Sequence, residues 1–392
     1  VGTPLFANEI YGLLDEEVSD PPALTIGEGA RHPYHARSLI NISGMSYGAL
    51  SAPAVKALSK GAKLAGCWLN TGEGGLSEHH LSGGCDIIFQ IGTAKYGVRD
   101  EYGNFSEDKL KKITGLPQVK MVEIKLSQGA KPGKGGLLPA AKVTEEIART
   151  RGIPVGEASI SPNRHTEIAN NVELLDFIAR VRDLSGLPTG FKTAMGDVEW
   201  LEDLCSLITM RGTDSAPDFI TIDSGDGGTG AAPMPLIDNT ALTVREALPM
   251  VVDVLDKHDL KDRIRVICAG KLITPAEVAW AYCAGADFVH TARGFMFALG
   301  CIQSLKCNKN TCPTGITTHQ PHLQHGLDPA DKAVRVKNYV DRIHYGTGLI
   351  AHACGVPHVR ALERRHVRLV QADGKSRALS KIYPPAGKSR AA

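Results

Sequence analysis

From residue 39 onward the chain repeats one rhythm. A short apolar run stops at glycine or polar residues, and a stretch of helical periodicity follows. Runs at 39–43, 66–69, 87–91, 119–125, 189–193, 218–223, 264–269 and 287–291 predict eight strands. They are continuously apolar rather than alternating, which suits a parallel sheet covered on both faces. Amphipathic stretches at 172–184, 199–209 and 275–284 fall between them. This order predicts an α/β fold, a (βα)8 TIM barrel with its chemistry at the C-terminal ends of the strands. A doubly wound open sheet is the alternative. Residues 1–38 read as an irregular N-terminal segment, because Pro21, Pro22, Gly27, Gly29 and Pro33 interrupt any period. The barrel is expected over 39–300, a cysteine loop over 301–320, and a C-terminal helical extension and tail over 321–392. Within that extension 328–355 reads as helical, with Gly346 and Gly348 as interruptions. A Gly-, Pro- and Lys-rich insertion, 126–171, separates the fourth and fifth strands. Loops of that length are usually functional or disordered, and its Gly-Gly and Ser-Pro punctuation favours function.

Composition narrows the class. Lys and Arg total 44 against 42 Asp and Glu, a net charge of +2, so nothing points to nucleic acid as a partner. Nine cysteines in a chain of this size, three of them in one loop, fit a reducing cytoplasm better than a disulfide framework. No apolar stretch approaches the roughly 20 residues that cross a bilayer, and no signal peptide is legible. The chain begins at Val1 rather than Met, so a preceding segment, a membrane anchor included, stays open.

Polar and glycine-rich groups follow every strand. The first ends in Ser43-Gly44-Met45-Ser46 and the second in Asn70-Thr71-Gly72-Glu73-Gly74-Gly75. The fourth ends at Lys125 and runs into Gln128-Gly129-Ala130-Lys131-Pro132-Gly133, and the fifth carries Lys192. The sixth ends in Asp223-Ser224-Gly225-Asp226-Gly227-Gly228-Thr229-Gly230. The seventh and eighth lead into Gly270-Lys271 and Arg293-Gly294. Glycines at these last two ends are where such barrels bind phosphate, with tight turns as the plainer reading. Gly225, Gly227 and Gly230 satisfy G-x-G-x-x-G, but Pro233 and Pro235 follow where a dinucleotide site needs a helix, so nicotinamide binding is discounted. Lys125 and Lys192 are either buried ion-pair partners or cations facing a ligand. A reduced flavin needs such a cation near N1. Glu73 is a carboxylate facing substrate or a solvated loop charge.

The densest chemistry is Cys301, Cys307 and Cys312, five and four residues apart, with Pro313 directly after the last. Three thiolates on one short polar loop suit an iron–sulfur cluster of three irons, or of four with a ligand from elsewhere. Unlinked buried thiols are the bland reading. A zinc site would need His319 or His322 as fourth ligand, at a spacing foreign to common zinc fingers.

On Ser43–Ser46, Asn70–Gly75, Lys125 with Gln128–Gly133, Asp223–Gly230 and Gly300–Thr318, the sequence resembles the FMN-binding synthase domain of glutamate synthase, over about residues 39–320. It looks most like the short, stand-alone members of that family. The resemblance implies a (βα)8 barrel with one FMN and a 3Fe–4S cluster on Cys301, Cys307 and Cys312. It implies reduction of 2-iminoglutarate, from 2-oxoglutarate and ammonia, to L-glutamate, with electrons entering through the cluster from ferredoxin or another electron-donor protein. Glu73, Lys125, Gln128 and Lys131 would sit near substrate and flavin. Ser43, Gly44, Met45, Ser46, Asn70 and Thr71 would belong to the flavin site, as would Asp223, Gly227, Gly228, Thr229 and Gly230. Lys192 would face the pyrimidine ring, and Gly270, Lys271, Arg293 and Gly294 the phosphate.

The departures concern substrate. No amidotransferase domain precedes the barrel in this chain, so ammonia would come free or from a separate amidotransferase subunit. Lys134, Ser77-Glu78-His79-His80 and Ser161-Pro162-Asn163-Arg164-His165 differ from the family pattern. They leave room for a related 2-oxo acid, or for methylamine as in N-methylglutamate synthase. The competing classes are a flavin barrel of the isopentenyl-diphosphate isomerase kind, which needs no electron wire, and a non-catalytic flavin/iron–sulfur relay subunit.

Overall fold

The computed structural model describes residues 2–227 and 232–384. Its centre is a closed barrel of parallel strands: β1 (Ile40–Ile42), β2 (Leu69–Asn70), β3 (Ile87–Ile91), β4 (Val119–Lys125), β5 (Thr189–Ala194), β6 (Phe219–Asp223), β7 (Arg265–Ala269) and β8 (Phe288–Thr291). Closure is made by β8 on β1, with Val289 opposite Ile40 and His290 opposite Asn41. The chain is therefore a TIM barrel, and every predicted run overlaps a barrel strand. Only the second is displaced, because Cys67 and Trp68 belong to the turn out of the preceding helix and Leu69 and Asn70 alone join the ladder.

Side chains alternate across a strand, so each strand serves two environments. One set, including Ile40, Ile42, Phe89, Val122, Ile124, Phe191, Ile220 and Val289, joins the large core beneath the helices. The other set fills the barrel in layers. At the N-terminal end Trp68, Ile88, Met121, Phe219, Ile267 and Phe288 form a separate apolar cluster. Ile26 and Ala36 complete it from the antiparallel hairpin Leu24–Ile26/Tyr34–Ala36, which plugs the barrel floor. The segment read as irregular thus supplies a lid to the core. Its strand Pro4–Phe6 also pairs with Val367–Val370 and so ties the two ends of the chain together.

Helices start and stop where local chemistry dictates. The helix Ala52–Ala65 is capped by Ser51 Oγ, which accepts from the Ala54 amide, and it ends at Gly66 with φ 68°. Thr274 and Glu277 form a capping box for Pro275–Ala284. The last long helix, Pro329–Ala353, runs unbroken through Gly346 and Gly348, contrary to the expected interruptions. A Cβ on Gly346 would stand 2.5 Å from Pro275 Cγ, so this glycine permits close helix packing rather than ending a helix.

The insertion is ordered by a small hairpin, Leu137–Leu138 with Ser159–Ile160, and by the helix Glu145–Arg151. It folds over the C-terminal mouth of the barrel. Gly129 has no alternative there, since a Cβ would stand 1.6 Å from the Ser224 carbonyl oxygen.

Candidate active site

Above the apolar floor the barrel interior turns polar. Glu123, fully buried on β4, accepts from Asn70 Nδ2 at 2.8 Å, Gln90 Nε2 at 2.6 Å and Thr221 Oγ1 at 2.6 Å. Burial alone would raise its pKa, but the charge of Lys192 and the hydrogen bonds from Thr221 and Gln90 hold it below the usual carboxylate range. Trp68 Nε1 donates to His290 Nε2 at 2.7 Å. Burial pushes His290 down to about 4, so the ring is neutral and carries its proton on Nδ1. The layer is a satisfied network, as burial of so many polar groups requires.

One layer higher a cavity of about 560 Å³ opens at the C-terminal ends of the strands. At its floor Lys125 and Lys192 sit side by side, paired in register on β4 and β5. Lys125 Nζ lies 3.0 Å from Glu73 Oε1 and also donates to Gln128 Oε1. Lys192 Nζ lies 3.8 Å from Asp223 Oδ2. Glu73 is wedged between glycines: Cβ atoms on Gly92 or Gly136 would each stand 2.6 Å from its side chain. Burial works to raise the Glu73 pKa, but Lys125, backed by Lys131 and Arg151, brings it down to about 2. Burial, helped by the like charges of Lys192 and Lys131, lowers Lys125 against the pull of Glu73. Lys131 is likewise buried and lines the same cavity. The four residues singled out as catalytic candidates therefore converge on one wall.

The other expected residues divide. Ser43, Gly44, Met45 and Ser46 line the cavity, as do Lys192, Asp223, Gly227, Gly270, Lys271 and Arg293. Lys271 and Arg293 are exposed cations at the rim. Asn70 and Thr71 do not line it; they brace the loop after β2, where Asn70 Oδ1 accepts from Gly72 N at 2.9 Å and Thr71 Oγ1 from Gln90 N at 3.0 Å. Gly294 faces a neighbouring helix: a Cβ there would meet the Tyr339 hydroxyl at 2.1 Å, so packing explains this glycine. Gly228, Thr229 and Gly230 lie outside the described residues.

Sequence reasoning missed several contributors. Glu123 stands two residues before Lys125, hence on the same face of β4, a period-two signal that was legible. Gln90 interrupts an apolar run and was legible too. Arg151 and Lys142 come from the insertion, where no strand register places a side chain. Arg151 is 5% exposed, donates to Ser159 Oγ at 3.2 Å and to the Tyr47 carbonyl at 3.3 Å, and lines the cavity beside Glu73.

The family departures fall in three places. Lys134 is exposed. His80 is buried and reaches the flavin-loop candidate Met45, its Nε2 2.8 Å from the Met45 carbonyl oxygen and its Nδ1 2.8 Å from Ser77 Oγ. His165 Nε2 lies 3.0 Å from the Lys125 carbonyl oxygen.

The cysteine loop follows β8 and the helix Arg293–Leu299. Cys301 and Cys307 line the cavity and Cys312 is buried behind it. Cys301 Sγ accepts from the Gln303 amide at 3.4 Å. Burial would raise Cys312, but hydrogen bonds from Thr314 and Thr317 bring its thiol down to about 7. All three thiols are free. The donor chemistry suits a thiolate-bound centre, although among the described residues no three His, Cys, Asp or Glu side chains are gathered around one point.

These features have counterparts in known proteins. Residues 7–377 match the family model described as the conserved region in glutamate synthase. The glutamate synthase large subunit-like protein YerD of Bacillus subtilis is 45% identical over 343 residues, covering 87% of this chain and 65% of that protein. The archaeal glutamate synthase [NADPH] of Methanocaldococcus jannaschii is 34% identical over 330 residues, covering 84% of this chain and 61% of the relative. The chain thus spans less than two thirds of the length of these relatives. Among solved structures, mandelate oxidase with benzoyl-formic acid superposes with a TM-score of 0.56 at 15% identity, covering 94% of this chain and 87% of the other. A flavocytochrome b2 variant with pyruvate bound gives 0.56 at 14% identity, covering 93% and 75%. At such identities these two speak for the fold alone. The family match over residues 7–377, with the relative at 45% identity, decides the matter: the chain belongs to the glutamate synthase family.

Proposed function

We propose that this chain is an iron–sulfur flavoenzyme that reduces 2-iminoglutarate, formed from 2-oxoglutarate and ammonia, to L-glutamate. The observation that carries the reading is the Glu73–Lys125–Gln128 constellation, flanked by Lys131 and Arg151 and facing the same cavity as Lys192. The relatives' names support it, one of them naming NADPH. For this chain the electron donor is ferredoxin or another electron-donor protein.

The residues fit FMN. Lys125 and Lys192 provide cations at the cavity floor, Ser43–Ser46 a partly buried loop along one wall, and Lys271 and Arg293 positive charge at the rim for a phosphate. A mandelate oxidase variant whose structure carries an FMN adduct shares the fold, with a TM-score of 0.52. When bound, FMN would supply the hydride that reduces the imino carbon. The cluster would be a 3Fe–4S centre on Cys301, Cys307 and Cys312.

The chain's own residues would bind and orient. A dicarboxylic 2-oxo acid brings two negative charges, and Lys131 and Arg151 offer two buried cations with little reorganisation. Glu73, ionised at neutral pH, would stabilise the positive charge of a protonated imine. Lys125, held by Glu73 and Gln128, would face the 2-oxo group and the flavin. The insertion closes over the mouth and would exclude water from the hydrolysable imine.

The test is anaerobic reoxidation of the reduced, FMN-loaded protein by 2-oxoglutarate, with and without ammonium or methylamine. Reoxidation that requires ammonium and yields glutamate supports the reading. Reoxidation only with methylamine reassigns the amine. A protein that holds FMN yet is not reoxidised by either mixture is not this synthase.

A further inference from the structure

A second cavity, of about 400 Å³, opens against the residues that flank the cysteine loop, and it shares no lining residue with the cavity at the strand ends. Leu299 and Leu323 supply its apolar surface. Its polar side chains are Lys332, Arg335, His322 and Thr314. They come from three places: the helix Pro329–Ala353, the short helix Pro321–Gln324 and the end of the cysteine loop.

Lys332 and Arg335 stand three residues apart and so share one helix face. A Cβ on Gly300, whose φ is 100°, would lie 4.0 Å from Lys332 Nζ and 3.8 Å from Arg335 Nη1, so the two cations converge on one point. Gly300 ends the helix Arg293–Leu299, but among the described residues neither cation donates to that helix end. The Phe297 and Met296 carbonyls accept instead from the Gly300 and Cys301 amides, each at 2.9 Å. The side chains of Arg335 and His322 have no ion-pair or hydrogen-bond partner among the described residues. Lys332 has only Asp331, at 3.2 Å, and the Asp331 side chain is 60% exposed while that of Lys332 is 16% exposed. An ion pair with so exposed a carboxylate contributes little. Like charges at this spacing repel one another, and an anion between them turns the repulsion into attraction.

We propose that this cavity is a binding site for a phosphoryl group, free or on a small ester, with Lys332 and Arg335 as its cations and His322 and Thr314 as further donors. A phosphate monoester carries about −1.5 to −2 charge at neutral pH and three acceptor oxygens, which matches two cations and donors from three directions. A lone carboxylate brings one charge and two oxygens. Arg335 offers the planar fork that pairs with two oxygens at once, and Lys332 a point charge. Pockets for small molecules run from about 300 to 1,000 Å³, so this cavity takes a small ligand, whose carbon skeleton would lie on Leu299 and Leu323. The site goes beyond the synthase reading and needs neither flavin nor iron. Its occupant would join both ends of the cysteine loop, at Gly300 and at Pro313-Thr314, to the helices that follow.

The experiment is calorimetric titration of the full, FMN-loaded chain with inorganic phosphate and, separately, with glycerol 3-phosphate, at ionic strength fixed with potassium chloride. Loading with FMN keeps the probe out of the rim at Lys271 and Arg293. We expect saturable one-to-one binding, at least about tenfold weaker in Arg335→Gln, the loss of one charge-assisted pair, and no saturable binding in the Lys332→Gln/Arg335→Gln double variant. Phosphate should also raise the thermal midpoint of the parent and leave that of the double variant unmoved. Binding of both probes, or of either one alone, supports the site, and the preferred probe names the form of the ligand. A parent chain that binds neither probe overturns the proposal without any variant. Binding that survives undiminished in the double variant, or that potassium chloride abolishes at equal ionic strength, overturns it as well.

Discussion

Glu73 Oε1 lies 3.0 Å from Lys125 Nζ, joining the loop after β2 to the end of β4 across the cavity. Neither charge would be stable there alone. Gly92 and Gly136 leave no room for another side chain beside the carboxylate, so the pair defines the shape of that wall as well as its charge. Glu73→Gln keeps the shape and removes the charge. It is expected to lower kcat for imine reduction by about 10²-fold, the usual cost of losing one preorganised electrostatic contact, with a smaller effect on KM. Steady-state kinetics with 2-oxoglutarate and ammonium measure it, and an unchanged kcat would remove Glu73 from the chemistry.

Glu123 should matter for stability more than for binding. Glu123→Ala leaves Asn70, Gln90 and Thr221 without their shared acceptor and strips a counter-charge from Lys192. Breaking a buried charged network in this way costs roughly 3–5 kcal/mol. Urea denaturation should show that loss, with Glu123→Gln intermediate, and a wild-type midpoint for the alanine variant would contradict it.

Acid should destabilise the fold before it reaches the ordinary carboxylate range. His80, His165 and His290 are buried, and burial pushes each down to about 4. Unfolded histidine titrates near ~6.5. Between those values the unfolded chain binds more protons, so stability rises with pH from about 4 to about 6.5 and is lost on acidification. Glu73 adds the same sign lower down: its depressed pKa contributes stability that is present above about 4.5 and lost as pH falls toward about 2. Each histidine contributes on the order of 3 kcal/mol across its window. Denaturant midpoints across pH 4 to 7, with His80→Gln expected to flatten the slope, check this.

Gly129→Ala tests the insertion. The added methyl would stand 1.6 Å from the Ser224 carbonyl oxygen, so the backbone of one loop must move. Overpacking of this kind costs about 1–3 kcal/mol, and here the displacement falls beside Gln128 and Lys131. FMN affinity and thermal midpoint should both drop. Ala tolerated at full affinity would mean that the two loops are free to separate.

Cys307→Ser is expected to abolish iron uptake on reconstitution while leaving the far-ultraviolet circular dichroism and FMN binding of the barrel intact. Electron entry from a reduced donor protein should be lost, but chemically reduced flavin should still pass its electrons to substrate. Iron retained at the parental stoichiometry would remove Cys307 from the ligand set.

The strands and their C-terminal ends were legible because both rest on local signals. Apolar runs of strand length, broken by glycine, mark a buried parallel sheet, and in a closed barrel the residues after each run must share one mouth. That puts Glu73, Lys125, Gln128 and Lys131 at one mouth with the other strand-end residues, and the resemblance to the glutamate synthase domain singles out these four. Asn70, Thr71 and Gly294 were legible only as strand-end residues. Whether such a residue faces the cavity or braces what lies behind it depends on packing partners such as Glu123 and Tyr339, which come from elsewhere in the chain.

By itself the sequence determined the barrel, its polar mouth and the cysteine loop, because periodicity, glycine placement and cysteine spacing are written in consecutive residues. The tertiary structure alone decided that the hairpin Leu24–Ile26/Tyr34–Ala36 plugs the barrel floor, that Gly346 admits Pro275 instead of breaking a helix, and that Arg151 and Lys142 of the insertion reach the cavity. The physical reason is common to all three. Each depends on which distant surface a segment buries, and that choice is made by the free energy of the assembled core, not by the residues next door.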